Sequence, residues 1–104
     1  MDLMKRPPKA KALLPTISSA AARGLVMYSK HANERMLERG IIKPEVELIL
    51  TSGHHEAKKD QFNEEFQSWD YAIKGKTVDG RVLRIVVALV EPSVFVITTI
   101  ELGN

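Results

Sequence analysis

S-K-H-A-N-E-R-M-L-E-R-G-I, residues 29 to 41, spells out a helix together with both of its ends. Ser29 stands where an N-cap belongs, because its hydroxyl can accept from a free N–H of the first turn. Gly40 suits the left-handed residue that closes many helices, and Ile41 follows as the apolar contact. The predicted helix therefore runs from Lys30 to Arg39. Residues four apart lie nearly above one another, so His31, Arg35 and Arg39 share one side while Ala32 and Met36 turn to another. One titratable ring and two permanent cations on a single stripe are the side chains that phosphate chemistry needs.

Outward from this helix the chain divides into short helical segments and then strands. Pro44 is pre-set for a first helical turn, and Glu45 and Glu47 complement the positive end of the dipole. With Val46, Ile49 and Leu50 as a buried face, a further helix is predicted from Pro44 to about Thr51, before Gly53. On the other side, Leu25 to Tyr28 is an apolar run that fits a lead-in strand or the hydrophobic approach to the helix. Thr16 to Ala22 reads as a short helix capped by Thr16 or Ser18 and stopped by Gly24. The first 15 residues combine three prolines with four bases, and Pro7-Pro8 excludes helix there. Residues 1 to 15 thus read as a basic, proline-rich tail, and 16 to 104 as a single α+β domain.

The remainder is rich in Val, Ile, Thr and aromatic residues. Phe66 to Val78, Arg81 to Val90 and Ser93 to Leu102 read as strands, with a weaker fourth from His54 to Phe62. Asp79-Gly80 fits a type I′ hairpin pairing Tyr71 to Val78 with Arg81 to Ala88, and Glu91-Pro92 supplies the next reversal. In V-L-R-I-V-V-A-L-V, residues 82 to 90, both alternating faces are largely apolar, which predicts a central strand covered on most of both sides. Arg84 is the exception, since a charge there is costly unless it is paired or meets solvent in a cleft. The predicted fold class is α+β: two or three short N-terminal helices packed on a three- to four-stranded antiparallel meander sheet.

Composition narrows the function. With 104 residues and 44% hydrophobic content, there is chain for one core only. The absence of cysteine excludes disulfides, thiolate nucleophiles and zinc-thiolate clusters, and fits a reducing compartment. No apolar run is long enough to span a bilayer, and the basic start leads into no signal-like core, so a cytoplasmic protein without membrane contact is expected. The net charge of +2 is unevenly spread: Lys5, Arg6, Lys9, Lys11 and Arg23 face only Asp2 in the first 24 residues, while ten bases meet twelve acids in the rest. A broad basic footprint on the body is not implied, so RNA binding would rest on a local arginine cluster and the tail.

S-K-H-A-N-E-R-M-L-E-R-G-I-I, the acidic-apolar helix after it, Y-A-I-K-G-K-T-V-D-G-R-V-L-R-I-V-V-A-L and V-I-T-T-I together resemble the domain of unknown function 4258 over roughly residues 26 to 102. By that resemblance His31, Arg35, Arg39, Gly75, Gly80, Arg81 and Arg84 fall on patterned positions, with Arg84 where the family usually has a strand histidine. The order of helices and antiparallel sheet is also similar to the small toxin ribonucleases of the RelE and BrnT kind. That likeness implies a toxin of a bacterial toxin-antitoxin pair, a metal-independent endoribonuclease held in check by a cognate antitoxin.

Such cleavage needs a base for the 2′-hydroxyl proton, a cation for the phosphorane and an acid for the departing 5′ oxygen. His31, Arg35 and Arg84 are the catalytic candidates. The free N–H groups beside Ser29, together with Arg39, Lys74, Lys76 and Arg81, form the candidate RNA- and phosphate-binding set. Structural roles compete at each position. His31 bonded to a backbone carbonyl would fix its helix to the sheet, Arg35 can pair with Glu38, and a solvated edge accounts for Lys74 and Lys76. Trp69 and Tyr71 share a strand face suited to base stacking or to hairpin packing. His54 and His55 point to opposite faces of a strand, so no metal site is assigned with His31, and no cofactor is called for. The alternative reading is a non-enzymatic module that binds a protein or an anion. In either reading the basic tail offers a further contact for nucleic acid or an acidic surface.

Overall fold

The computed structural model describes residues 6–103 and has helices α1 (Leu13–Ala22), α2 (Lys30–Arg39) and α3 (Lys43–Ser52). Strands β1 (Val26–Tyr28), β2 (His54–His55), β3 (Gln61–Asn63), β4 (Ser68–Lys76), β5 (Val82–Val90) and β6 (Ser93–Gly103) form one sheet in the order β1-β6-β5-β4-β2, with β3 also paired to β4. The α+β class is as expected. The sheet, however, is mixed and larger than a meander: Val26–Tyr28 joins as a strand running parallel to β6, and the weak fourth strand divides into β2 and β3 around a turn of 3-10 helix at Ala57–Lys59.

Local chemistry explains most element ends. Ser29 caps α2 by accepting from Ala32 N at 2.9 Å, and Gly40 closes it at φ 64° while Ile41 N reaches back to Met36 O at 2.8 Å. α3 starts at Lys43, where the Glu45 carboxylate accepts from Ile42 N at 3.0 Å. α1 starts at Leu13, three residues before the expected cap, and Pro15 sits in its first turn, where a missing N–H costs no hydrogen bond. The hairpin between β4 and β5 departs from type I′, because that turn needs positive φ at both Asp79 and Gly80 and only Gly80 has it, at 87°. Instead Thr77 and Arg81 close a three-residue loop, with Thr77 N donating to Arg81 O and the Thr77 hydroxyl donating to Asp79.

One face of the sheet carries the core. Leu83, Ile85 and Val87 of β5, Ile73 of β4, and Val94 and Val96 of β6 are fully buried against Ile17 of α1, Ala32 of α2 and Val46, Ile49 and Leu50 of α3. Burying each large aliphatic side chain contributes about 1.5–3 kcal/mol over leaving it exposed. Gly75 lets α3 lie close on β4: a Cβ there would sit 3.2 Å from the Ile49 side chain. The other face of β5, with Arg84, Val86 and Ala88, is only partly covered, so the expectation of a strand covered on most of both sides holds for one side.

The segment expected to be a tail is docked where it is described, while Lys5 lies outside the described residues. Trp69 Nε1 donates to Pro7 O and Ala10 N donates to the Tyr71 hydroxyl, both at 2.9 Å. Lys9 pairs at 2.9 Å with Asp60, a fully buried carboxylate that also accepts from His55 Nε2 at 2.7 Å and Ala72 N at 2.9 Å. Trp69 and Tyr71 are thereby used for packing: Trp69 stacks edge-on with Phe62, and Tyr71 with His55.

Candidate functional site

The helical stripe finds its partner in the last strand. His31, Arg35 and Arg39 of α2 line one open cleft of about 400 Å³ whose opposite wall is Thr98, Thr99, Ile100 and Glu101 of β6. Two contacts of Ser29 set this geometry. Its N–H donates to Val96 O at 2.9 Å and its hydroxyl to Ile97 O at 2.7 Å, so the first turn of α2 is fixed to β6 at the point where β1 ends.

A bulge determines which β6 side chains reach the cleft. Val87 pairs with Val96 but Val86 pairs with Thr98, which leaves Ile97 as the extra residue. Before it, Val94 and Val96 face the helices; after it, Thr99 and Glu101 pair with Ile85 and Leu83 and take over that face. Thr99 is 2% exposed and its hydroxyl has no hydrogen-bond partner among the described residues. Buried hydroxyls are nearly always bonded, so this one leaves a hydrogen-bonding group at the cleft for water or a polar ligand.

The cationic candidates divide between cleft and scaffold. Arg35 keeps an exposed contact with Glu38 at 3.4 Å, the pairing expected at three-residue spacing, and still lines the cleft with Arg39. Arg84 is elsewhere. It lies on the far face of the sheet, its Nε and Nη2 donating to Glu56 at 2.6 and 3.3 Å. That bond, then the nearby charges of Arg84, Lys74 and His54, hold the Glu56 carboxyl below its ordinary range against the opposing effect of burial, and Glu56 in turn raises the Arg84 guanidinium. The central charge on β5 is thus accounted for by a partner, and not by the cleft of His31.

Arg81 is a clamp. It donates to both Glu45 carboxylate oxygens at 2.9 and 2.8 Å and to the carbonyls of Arg39 and Gly40 at 3.0 and 3.3 Å, joining the end of α2 to the start of α3. Hydrogen bonding to Glu45 raises its pKa further, and both terminal nitrogens are committed to protein, while its Nε is buried without a hydrogen-bond partner among the described residues. Lys74 and Lys76 are on the far face with Arg84, Lys74 standing between His54 and Arg84 in register. They do not join the cleft.

That far face carries its own surface. Phe66, Ala88, Phe95 and Ile97 form an apolar depression beside Asp70, and Lys59, Arg84 and Ile100 continue it. Burial pushes the Asp70 carboxyl up, offset in part by a hydrogen bond from Asn63, and one of its oxygens is buried without a partner among the described residues.

Sequence reasoning missed Thr99 and Glu101. Alternation along β6 starting from Val94 and Val96 assigns the helix-facing side to even numbers, and nothing in V-I-T-T-I announces the bulge that reverses the count.

The sequence model for the domain of unknown function DUF4258 matches residues 28–101. No curated protein matches the chain.

Proposed function

The chain belongs to the family of the domain of unknown function DUF4258, and on that premise we propose that it is a metal-independent endoribonuclease, the toxin of a bacterial toxin-antitoxin pair. The observation that carries this reading is the gathering of His31, Arg35, Arg39 and Glu101 around one open cleft. In-line attack by a 2′-hydroxyl needs two proton-transfer groups and a cationic cradle, and this set supplies both. His31 and Glu101 act as the acid and base pair. One removes the 2′ proton as the O–P bond forms; the other protonates the 5′ oxygen as its bond to phosphorus breaks. The products are a 2′,3′-cyclic phosphate and a 5′-hydroxyl. Arg35 and Arg39 hold the phosphate through permanent charge and fork geometry, and the Thr99 hydroxyl gives a neutral donor beside them. Arg84, paired with Glu56 on the other face, is left out of the reaction.

The toxin role rests on the resemblance, read from the sequence, of helices followed by antiparallel strands to the RelE and BrnT kind, with a cognate antitoxin as the neutralising partner. Purified protein incubated with single-stranded RNA and excess chelator tests the chemistry. Cyclic phosphate ends that vanish in His31→Ala and fall in Glu101→Gln support it, whereas intact RNA with the wild type removes it. A second reading, a non-enzymatic anion- or protein-binding module, is favoured by the two more acids than bases in residues 25–104. It predicts binding at the same cleft without cleavage.

A further inference from the structure

The cleft has one more property that neither catalysis nor the family match uses: its β6 wall is an open strand edge. β6 is bonded to β5 along its length, but β1 covers it only from Val94 to Val96. The two Ser29 contacts then occupy the carbonyls of Val96 and Ile97. From Thr98 to Leu102, no backbone hydrogen bond beyond those to β5 occurs among the described residues. In an antiparallel pair, alternate residues direct both N–H and C=O away from the partner strand, so this stretch offers unpaired donors and acceptors toward the cleft. Neither lysine nor proline blunts it.

We infer that this edge, walled by α2, is a docking groove for an extended acidic segment of a partner protein, which adds to the sheet as a further strand beside residues 98–102. Backbone pairing would provide the attachment, and alternation would provide the choice of segment. Side chains of an added strand that point to the helix side meet His31, Arg35 and Arg39, which calls for carboxylates. Side chains that point to the other side lie beside Ile100, which is 40% exposed, and this calls for apolar residues. The unpartnered Thr99 hydroxyl adds a donor on the carboxylate side. Glu101 is the one acid on the wall. It sits 4.0 Å from Arg81, which offsets its charge and places the acid-accepting part of the groove nearer Arg35. A second copy of this chain is a poorer occupant, since an edge-to-edge pair brings two cationic walls together. The inference does not depend on RNA cleavage, although a strand seated here would also close the cleft to RNA.

The test uses the full chain, isotope-labelled, and a short capped peptide of alternating glutamate and valine. Saturating peptide should slow exchange of the outward-facing amides among residues 98–102 by about tenfold or more. Affinity should fall by about tenfold in the charge-reversed double variant Arg35→Glu with Arg39→Glu, whose changes lie at a part-exposed and an exposed position of α2, with the melting temperature as the control of folding. A peptide of the same sequence methylated on its central backbone nitrogens should lose binding, because only strand pairing needs those N–H groups. Equal binding of the methylated peptide would overturn the inference in favour of charge attraction alone. Protection of the edge by oligouridine but not by the peptide, or by self-association of the chain without it, would overturn it as well.

Discussion

The Ser29 hydroxyl donates to the Ile97 carbonyl at 2.7 Å while accepting from Ala32 N at 2.9 Å, so one side chain both caps α2 and ties it to the bulge of β6. Two separate jobs are lost together in Ser29→Ala. The expected cost is about 1–2 kcal/mol from the cap and the tether, read from chemical denaturation. RNA binding in the cleft should weaken beyond what that loss of stability explains, because the wall carrying His31 is no longer fixed.

Arg84 and Glu56 give a prediction of the opposite kind. Arg84→Ala leaves a largely buried carboxylate without its partner and should destabilise by about 1–3 kcal/mol. Cleavage per folded molecule should stay unchanged, since the pair lies across the sheet from His31. Because the folded Glu56 pKa is lowered, its stabilising contribution is present above the ordinary glutamate value of about 4.3 and is lost as pH falls through the lower folded value. Glu56→Gln should therefore flatten the acid limb of the stability profile.

Asp70 has the reverse sign. Its folded pKa is raised by burial, so the ionised carboxylate costs stability above that raised value, and the cost is relieved as pH falls through it. Asp70→Asn should raise the melting temperature at neutral pH and lose that advantage in acid. A lower melting temperature at neutral pH would show that the partnerless oxygen is satisfied in solution.

How the N-terminal arm is held depends on Asp60. Asp60→Ala removes a fully buried acceptor from His55, Lys9 and the Ala72 amide, at an expected cost of about 3 kcal/mol. Release of residues 7–10 should expose Trp69 and shift its fluorescence to the red.

These cases show which parts of the molecule were legible in the sequence. α2 was readable to the residue because both of its ends are set by local chemistry, at Ser29 and Gly40. The stripe of His31, Arg35 and Arg39 follows from helical spacing alone and does share a cleft. What escaped depends on contacts distant in sequence. Glu56 is 28 residues from Arg84, and no local pattern announces the pairing that keeps Arg84 away from the cleft. Parallel pairing of Val26–Tyr28 with β6 spans most of the chain. Thr99 and Glu101 were hidden by the bulge at Ile97, which reverses the face of the β6 residues from Thr98 to Glu101. Pro7-Pro8 correctly excluded helix, yet an arm without helix still docks when Trp69 and Tyr71 offer it hydrogen bonds.

His31 and the arginines beside it form the proposed RNA-cleaving site. Its most direct test is the end chemistry of single-stranded RNA after incubation with purified protein in chelator, comparing wild type with His31→Ala and Arg84→Ala at equal folded concentration. 2′,3′-Cyclic phosphate ends are expected with wild type and with Arg84→Ala, and none with His31→Ala. Loss of cleavage in Arg84→Ala with full activity in His31→Ala, or intact RNA with all three, would contradict it.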